Sequence, residues 1–171
     1  MTTEQEELFR ADPFVKLVLE TIGISSINLI GGAVTDILEG RKPKDYDTVG
    51  GLDLYKDKLG LEFQYETKTA KTFKKGDLII QSLKTQKEDF DFKISQATLK
   101  VDYNKKLSLE LDKESFDNKT LIPCERCWSE KPNALKALQR VVHWRKKGYE
   151  INDITYLSLL GVVGKNNNKN S

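Results

Sequence analysis

The segment from Ile27 to Gly51, INLIGGAVTDILEGRKPKDYDTVGG, constrains the fold of this chain more than any other. It contains a short apolar strand, a Gly-Gly turn, a short helix closed by Gly40 and a second strand that carries two aspartates. Strands joined so closely through a helix are typical of a sheet flanked by helices. We therefore predict an α/β (α+β) fold with a mixed sheet.

The composition limits the function classes. A chain of 171 residues with 38% hydrophobic residues can form one domain, or one domain with a small helical appendage. Its formal net charge is only +2, so any basic surface must be local. No stretch approaches the ~18 apolar residues of a membrane span, and MTTEQEELFR lacks the order of a signal peptide. We expect a cytoplasmic protein with no membrane partner.

Hydrophobic periodicity predicts helices at both ends of the chain and strands between them. Residues 4–22 have the pattern of an amphipathic helix that bends or restarts at Pro13. The segments LEFQYETKT, DLIIQSL, DFKISQATLKV and LSLELD alternate as strands do. Two further helices are predicted over Asn133–Lys147 and Asn152–Val163, and the closing KNNNKNS, within 165–171, should be disordered.

Asp45 and Asp47 stand two residues apart in the second predicted strand. Alternate side chains of a strand point to the same side, so the two carboxylates project together while Tyr46 points into the core. Such a pair repels itself unless a cation lies between the carboxylates, and Mg²⁺ (or Mn²⁺) prefers carboxylates together with substrate phosphates. We predict a metal site at these two residues.

The glycine turn predicts an anion site beside this metal site. Gly31 and Gly32 lead into a helix, whose first N–H groups lack internal partners and attract anions. Arg41 and Lys44 add positive charge before the aspartates. Neither feature alone is specific, since most Gly-Gly turns and DxD strands are structural. Their combined spacing is what metal-dependent phosphoryl or nucleotidyl transfer requires.

Two other features admit functional and structural interpretations. Cys124 and Cys127 form one CxxC, but with His143 as the only histidine a four-ligand zinc site of Cys and His is impossible, and we favour two ordinary thiols. The helix Asn133–Lys147 has one basic face, which contacts RNA phosphates or nucleotide or is simply solvated, beside an apolar face. The basic face comprises Lys136, Arg140, His143 and Lys147, and the apolar face comprises Leu135, Leu138, Val141 and Val142.

The segment GGAVTDILEGRKPKDYD resembles the signature of the tRNA nucleotidyltransferase and poly(A) polymerase family of the polymerase-β-like nucleotidyltransferase superfamily, approximately GGxVRDxLLGRxxxDxD. The resemblance implies a catalytic head over 1–130 and a small helical neck over 131–164. It also implies that the glycine pair holds the triphosphate of an NTP and that the aspartates bind the metal ions. The matching residues are Gly31, Gly32, Val34, Asp36, Gly40, Arg41, Asp45 and Asp47.

The resemblance continues downstream with departures. DFDFKIS matches an RRDFTIN-like motif at Asp91 and Phe92, and PNALKALQRVVHW matches EDALRMMRAVRF in part. It implies that Lys136 lies near the nucleotide, and we assign a nucleotide contact to Arg140 as well because it belongs to the same basic face. The family's base-reading groups are replaced here by Pro132, Asn133 and Lys136, which leaves the NTP undetermined.

The resemblance also calls for a third catalytic carboxylate on a neighbouring strand. The strand DLIIQSL offers Gln81, which cannot act as a base. Asp77 and Asp91 are the available substitutes, and we favour Asp91. The alternative role of Asp91, which its place in the RRDFTIN-like motif implies, is a contact with the nucleotide sugar.

Together these features predict transfer of an NMP from an NTP to a hydroxyl group, with release of pyrophosphate. An RNA 3′ end, of tRNA or another RNA, is the favoured acceptor. Two alternatives stay open. One is the same chemistry on a protein or small-molecule acceptor, and the other is a non-catalytic regulator that binds nucleotide or RNA.

Overall fold

The computed structural model describes residues 1–84 and 90–164, so the predicted tail at 165–171 lies outside the described residues. The fold is α+β, with a seven-stranded mixed sheet and flanking helices, which confirms the predicted class. The described residues divide into two units. One lies within Met1–Lys87 and Ala97–Glu110, and the other within Glu88–Gln96 and Leu111–Ser171.

The first unit contains the whole sheet, in the order β3-β4-β5-β2-β1-β6-β7. Strands β2 and β5 are parallel, and all other neighbouring strands are antiparallel. Its described helices are α1 (Thr3–Ala11), α2 (Pro13–Glu20), α3 (Gly32–Leu38) and α4 (Leu52–Leu59). Its strands are β1 (Ser26–Ile30), β2 (Tyr46–Val49), β3 (Glu62–Glu66), β4 (Ala70–Lys75), β5 (Leu78–Leu83), β6 (Thr98–Asp102) and β7 (Leu107–Glu110).

The N-terminal helix restarts at Asp12, as Pro13 predicts. Asp12 has an extended conformation (φ −67°, ψ 134°), which ends α1 and begins α2. Pro13 occupies the first turn of α2, where its missing N–H costs no helical hydrogen bond. The break separates one helix into two that can pack at different angles.

Both ends of α2 are fixed by side chains of the first unit. At its start, the Asp12 carboxylate caps the first N–H groups. At its end, Lys105 Nζ donates to the carbonyl oxygens of Val18 (3.1 Å) and Thr21 (2.6 Å). Since these carbonyls have no later helical partner, the lysine satisfies them from the β6–β7 turn.

Strand β1 lies inside the sheet, between β2 and β6. Its side chains Ile27, Leu29 and Ile30 are all buried. These apolar residues form a short run, which is why INLI was recognisable from the sequence. The core of the first unit also includes Phe9, Phe14, Val15, Val18, Val34, Tyr46, Leu52, Phe73, Ile80 and Leu99.

The second unit is helical in its described part. It comprises a 3-10 turn (Lys93–Gln96), α5 (Lys113–Asp117), α6 (Arg126–Ser129), α7 (Lys131–Arg145) and α8 (Asp153–Gly164). Its buried cluster consists of Phe92, Ile94, Leu121, Cys127, Ala134, Ala137, Val141, Trp144, Tyr149, Ile151 and Leu159.

Two local predictions are wrong. The first part of DFKISQATLKV forms the 3-10 turn, because that turn buries both Ile94 and Ser95, and the strand starts only at Thr98. On α7, Leu135 and Val142 are 44% and 60% exposed instead of lying on the buried face. The buried side chains of α7 are Ala134, Ala137, Val141 and Trp144, a helical stripe whose small alanines let α8 pack closely.

Helices α4, α5 and α6 were not predicted. A glycine stands at each end of α4, and this is a sequence signal for helix ends. Gly51 and Gly60 both adopt the left-handed conformation that glycine accepts without strain. Across the described residues, no helix has the length and apolar character that crossing a bilayer requires.

Candidate active site

The aspartate pair lies at the start of β2. Asp45 immediately precedes the strand and Asp47 lies within it. Burial alternates as a strand requires, with both aspartates half-buried and Tyr46 and Thr48 buried. The structure thus has the alternation that the sequence predicts, with the carboxylates on the less buried side of the strand.

The glycine turn lies next to this pair across the sheet. Ile30, the last residue of β1, is the cross-strand partner of Asp47, and Gly31 follows it directly. Gly31 has φ 69° and ψ −134°, a conformation that a side chain would strain. Its N–H donates to the Ala97 carbonyl (2.8 Å) and its own carbonyl accepts from Val34 N–H (3.1 Å). The turn is therefore held on both sides, and it brings Gly31 and Gly32 beside the aspartates.

Arg41 closes the loop between α3 and β2. Its Nε and Nη2 donate to Asp36 Oδ1 at 3.0 and 2.8 Å, and its Nη1 pairs with Glu39. Its backbone N–H also donates to the Asp36 carbonyl at 2.7 Å. Two carboxylates thus more than compensate the charge of the guanidinium, and Arg41 holds this loop against α3. Lys44 is exposed on the same loop.

The position beside Asp47 on the neighbouring strand is Gln81. These residues are partners in the parallel β2–β5 pair, and Thr48 Oγ1 donates to the Gln81 carbonyl at 3.0 Å. The amide side chain of Gln81 therefore occupies the position at which a carboxylate would form a group of three with Asp45 and Asp47. Within 1–84 and 90–164, no three or more His, Cys, Asp or Glu side chains group so as to hold a metal ion.

The remaining predicted residues lie together in the second unit. Asp91 is buried, and its Oδ2 forms an ion pair with Arg140 Nε at 3.1 Å. Burial raises the pKa of Asp91, while the charges of Arg140, Arg126 and Lys136 oppose that rise. One cation therefore contacts this buried carboxylate, and two more lie near enough to favour its charged form.

Arg126 is a member of this cluster that the sequence did not reveal. Its Nη2 donates to Asn133 Oδ1 at 3.1 Å, across seven residues of chain. Its place within the CxxC gave no indication of this contact. The predicted site residues therefore fall into two groups, with Gly31, Gly32, Arg41, Lys44, Asp45 and Asp47 in the first unit and Asp91, Lys136 and Arg140 in the second.

The two cysteines, Cys124 and Cys127, are free thiols. Cys127 is buried, and its Sγ donates to the Asp91 carbonyl at 3.0 Å. Burial, followed by the charge of Asp91, raises the pKa of Cys124 from 9.0 to about 11 and that of Cys127 to about 12. Neither thiol has the lowered pKa of a reactive or metal-binding cysteine.

Solved structures of CCA-adding enzymes and of a tRNA nucleotidyltransferase are similar to this chain. A CCA-adding enzyme in complex with CTP is 19% identical with a TM-score of 0.72, over 94% of this chain and 44% of that chain. The Thermotoga maritima CCA-adding enzyme complexed with tRNA is 19% identical with a TM-score of 0.70, over 94% of this chain and 45% of that chain. A tRNA nucleotidyltransferase complexed with a primer tRNA and an incoming ATP analogue is 17% identical with a TM-score of 0.59, over 81% of this chain and 46% of that chain.

These similarities establish the nucleotidyltransferase fold of CCA-adding enzymes for this chain. The chain spans less than half the length of the proteins it matches. No protein-family model matches the sequence, and no curated protein matches it either.

Replacing Arg41 should destabilise the first unit. Arg41→Ala leaves the buried Asp36 carboxylate without two donors, so we expect a loss of about 1–3 kcal/mol in the free energy of unfolding, measured in urea. Lys42→Ala, on the same loop but exposed, should change it by less than ~0.5 kcal/mol. Equal stability of Arg41→Ala and the wild type would show that Arg41 does not stabilise this loop.

The thiols should react slowly in the folded protein. A pKa of about 11 lowers the thiolate fraction of Cys124 at pH 8. We therefore expect iodoacetamide to label it roughly 100-fold more slowly than an ordinary thiol, as followed by mass spectrometry. In urea both cysteines should react at the ordinary rate, and rapid labelling of the native protein would contradict the raised pKa.

Proposed function

We propose that this chain catalyses metal-dependent transfer of a nucleoside monophosphate from an NTP to the hydroxyl of an RNA 3′ end, such as that of tRNA, with release of pyrophosphate. The observation that carries the proposal is the β1–β2 register, in which Ile30 opposite Asp47 brings Gly31 and Gly32 beside the carboxylates. The fold shared with enzymes solved with CTP, with an ATP analogue and with tRNA supports the choice of NTP and RNA as partners.

The residues at the start of β2 fit a Mg²⁺ or Mn²⁺ ion. Magnesium is usually held by one or two carboxylates, with water and substrate phosphates as its other ligands, so Asp45 and Asp47 suffice. Gln81 is neutral and adds no third negative charge there. When bound, the ion compensates phosphate charge and favours the deprotonated form of an attacking hydroxyl.

The other residues have roles that follow from their surroundings. Gly31 and Gly32 present backbone without side chains, which lets phosphates approach closely. Lys44 is exposed and adds positive charge to the same loop, whereas Arg41 acts mainly by holding that loop in place.

In the second unit, Lys136 and Arg140 are the proposed nucleotide contacts, and Asp91 is the proposed third carboxylate. Arg140 also forms an ion pair with the carboxylate of Asp91.

The aspartate pair is tested by incubating the protein with each labelled NTP, Mg²⁺ and total RNA. We expect label in RNA, and we expect Asp45→Ala and Asp47→Ala each to lower the transfer rate about 10²- to 10³-fold, because the loss of a metal ligand removes several kcal/mol of charge stabilisation. Asp57→Ala removes an exposed carboxylate of the same unit and should leave the rate unchanged. Label in protein or in a small molecule would instead identify a different acceptor.

A second candidate function is nucleotide or RNA binding without turnover. It is favoured by one observation, the amide of Gln81 beside Asp47. Tight NTP binding with no transfer to any acceptor, under Mg²⁺ or Mn²⁺, would support this candidate over the first.

Gln81→Glu should add a third carboxylate to the metal site. Because the new charge faces the same side as Asp47, we expect Mn²⁺ to bind about 10-fold more tightly, as measured by electron paramagnetic resonance of free Mn²⁺. Gln81→Met, which is neutral and of similar size, should not tighten binding. Equal affinity of the glutamate variant and the wild type would show that position 81 does not contribute to the metal site.

A further inference from the structure

Asp12 is a buried carboxylate that the proposed chemistry does not use. It is only 6% exposed, and its two oxygens have different partners. Oδ1 accepts from the N–H groups of Phe14 (2.9 Å) and Val15 (3.0 Å), which caps α2. Oδ2 accepts from the Tyr46 hydroxyl at 2.9 Å. One side chain therefore joins the start of α2 to the start of β2.

Tyr46 is the residue between the two proposed metal ligands. It is 2% exposed, and its ring packs against Phe14 with centroids 5.1 Å apart. Its hydroxyl donates to Asp12 Oδ2. Its side chain thus fixes this point of the backbone from the core side.

The backbone at Asp45 needs support from a side chain, because Asp45 lies just before the paired part of β2. The ladder of β2 begins with Tyr46 opposite Ile80 on one side and with Asp47 opposite Ile30 on the other. Asp45 precedes these pairs, so its position depends on the residue that follows it. A metal site tolerates errors of only about 0.5 Å in its ligands, which makes the end of a strand a demanding place for one of them.

The support is itself rigid. Helix α2, which carries Asp12 at its start, is held at its other end by Lys105. Phe14, Val15 and Val18 bury the same helix in the core of the first unit. The hydroxyl of Tyr46 is therefore held by an element that is fixed at both ends.

We propose that Asp12 and Tyr46 are positioning residues for the metal-binding aspartates. Their hydrogen bond fixes the start of β2, and with it the spacing of Asp45 and Asp47. This inference rests on the proposed function, because that function makes the aspartate pair a metal site.

Three variants separate this hydrogen bond from the helix cap. Tyr46→Phe removes only the hydroxyl. Asp12→Ser keeps a good N-cap, but its single oxygen on a shorter side chain cannot serve both partners. Asp12→Asn keeps the cap and offers an N–H to the phenol oxygen, so it should restore the connection.

The readout is Mn²⁺ affinity, measured by electron paramagnetic resonance on the full chain. We expect Tyr46→Phe and Asp12→Ser each to weaken binding about 10- to 100-fold, the range for residues that orient metal ligands. Asp12→Asn should stay near the wild type. The double variant Asp12→Ser/Tyr46→Phe should be no weaker than either single variant, because both remove the same bond.

Leu59→Ala is the matched control, since it creates a cavity under α4 in the same unit and leaves α2 and the hydrogen bond in place. At a temperature where circular dichroism shows every variant folded, it should bind Mn²⁺ as the wild type does. The inference is overturned if Tyr46→Phe keeps wild-type affinity, if the two single losses add, or if Leu59→Ala weakens binding equally. A wild type that does not bind Mn²⁺ overturns the metal site and this inference together. A wild type that binds Mn²⁺ but transfers no NMP overturns only the transferase.

Discussion

The antiparallel pairing of β1 with β2 is the interaction on which the candidate site depends. It sets Ile30 opposite Asp47, so the glycine turn that follows β1 lies next to the carboxylates. A shift of this register by one residue would turn Asp47 towards the core and Tyr46 towards solvent. Such a shift would bury a charge and expose a large aromatic ring, so the same hydrophobic pattern that builds the core also fixes the polar site.

Charge is distributed differently in the two units. In the first unit, two half-buried carboxylates stand beside a neutral amide, and Arg41 is paired with Asp36 and Glu39. In the second unit, Arg140 is paired with the buried carboxylate of Asp91, and Arg126 and Lys136 add positive charge near it. The aspartate pair of the first unit suits a cation, whereas the excess positive charge of the second unit suits an anion.

The sequence predicted what depends on neighbours along the chain. The strand, turn, helix and strand of 27–51 and the restart at Pro13 follow from periodicity, glycine and proline, and the structure has them. The Asp12–Tyr46 hydrogen bond joins residues 34 positions apart, and no local pattern encodes it. The same holds for the contact of Arg126 with Asn133, which depends on how α6 packs on α7. On α7, the buried face depends on packing against α6 and α8, so the apolar residues of the helix alone predicted the wrong face.

The break between α1 and α2 has a consequence for how this protein can change over evolutionary time. Because the carboxylate of Asp12 serves a helix with one oxygen and Tyr46 with the other, the two positions are not free to vary independently. A relative with an apolar residue at position 46 would leave Oδ2 of an aspartate buried without a donor. Serine or threonine at position 12, which caps a helix with one oxygen, is the substitution that such a lineage should accept.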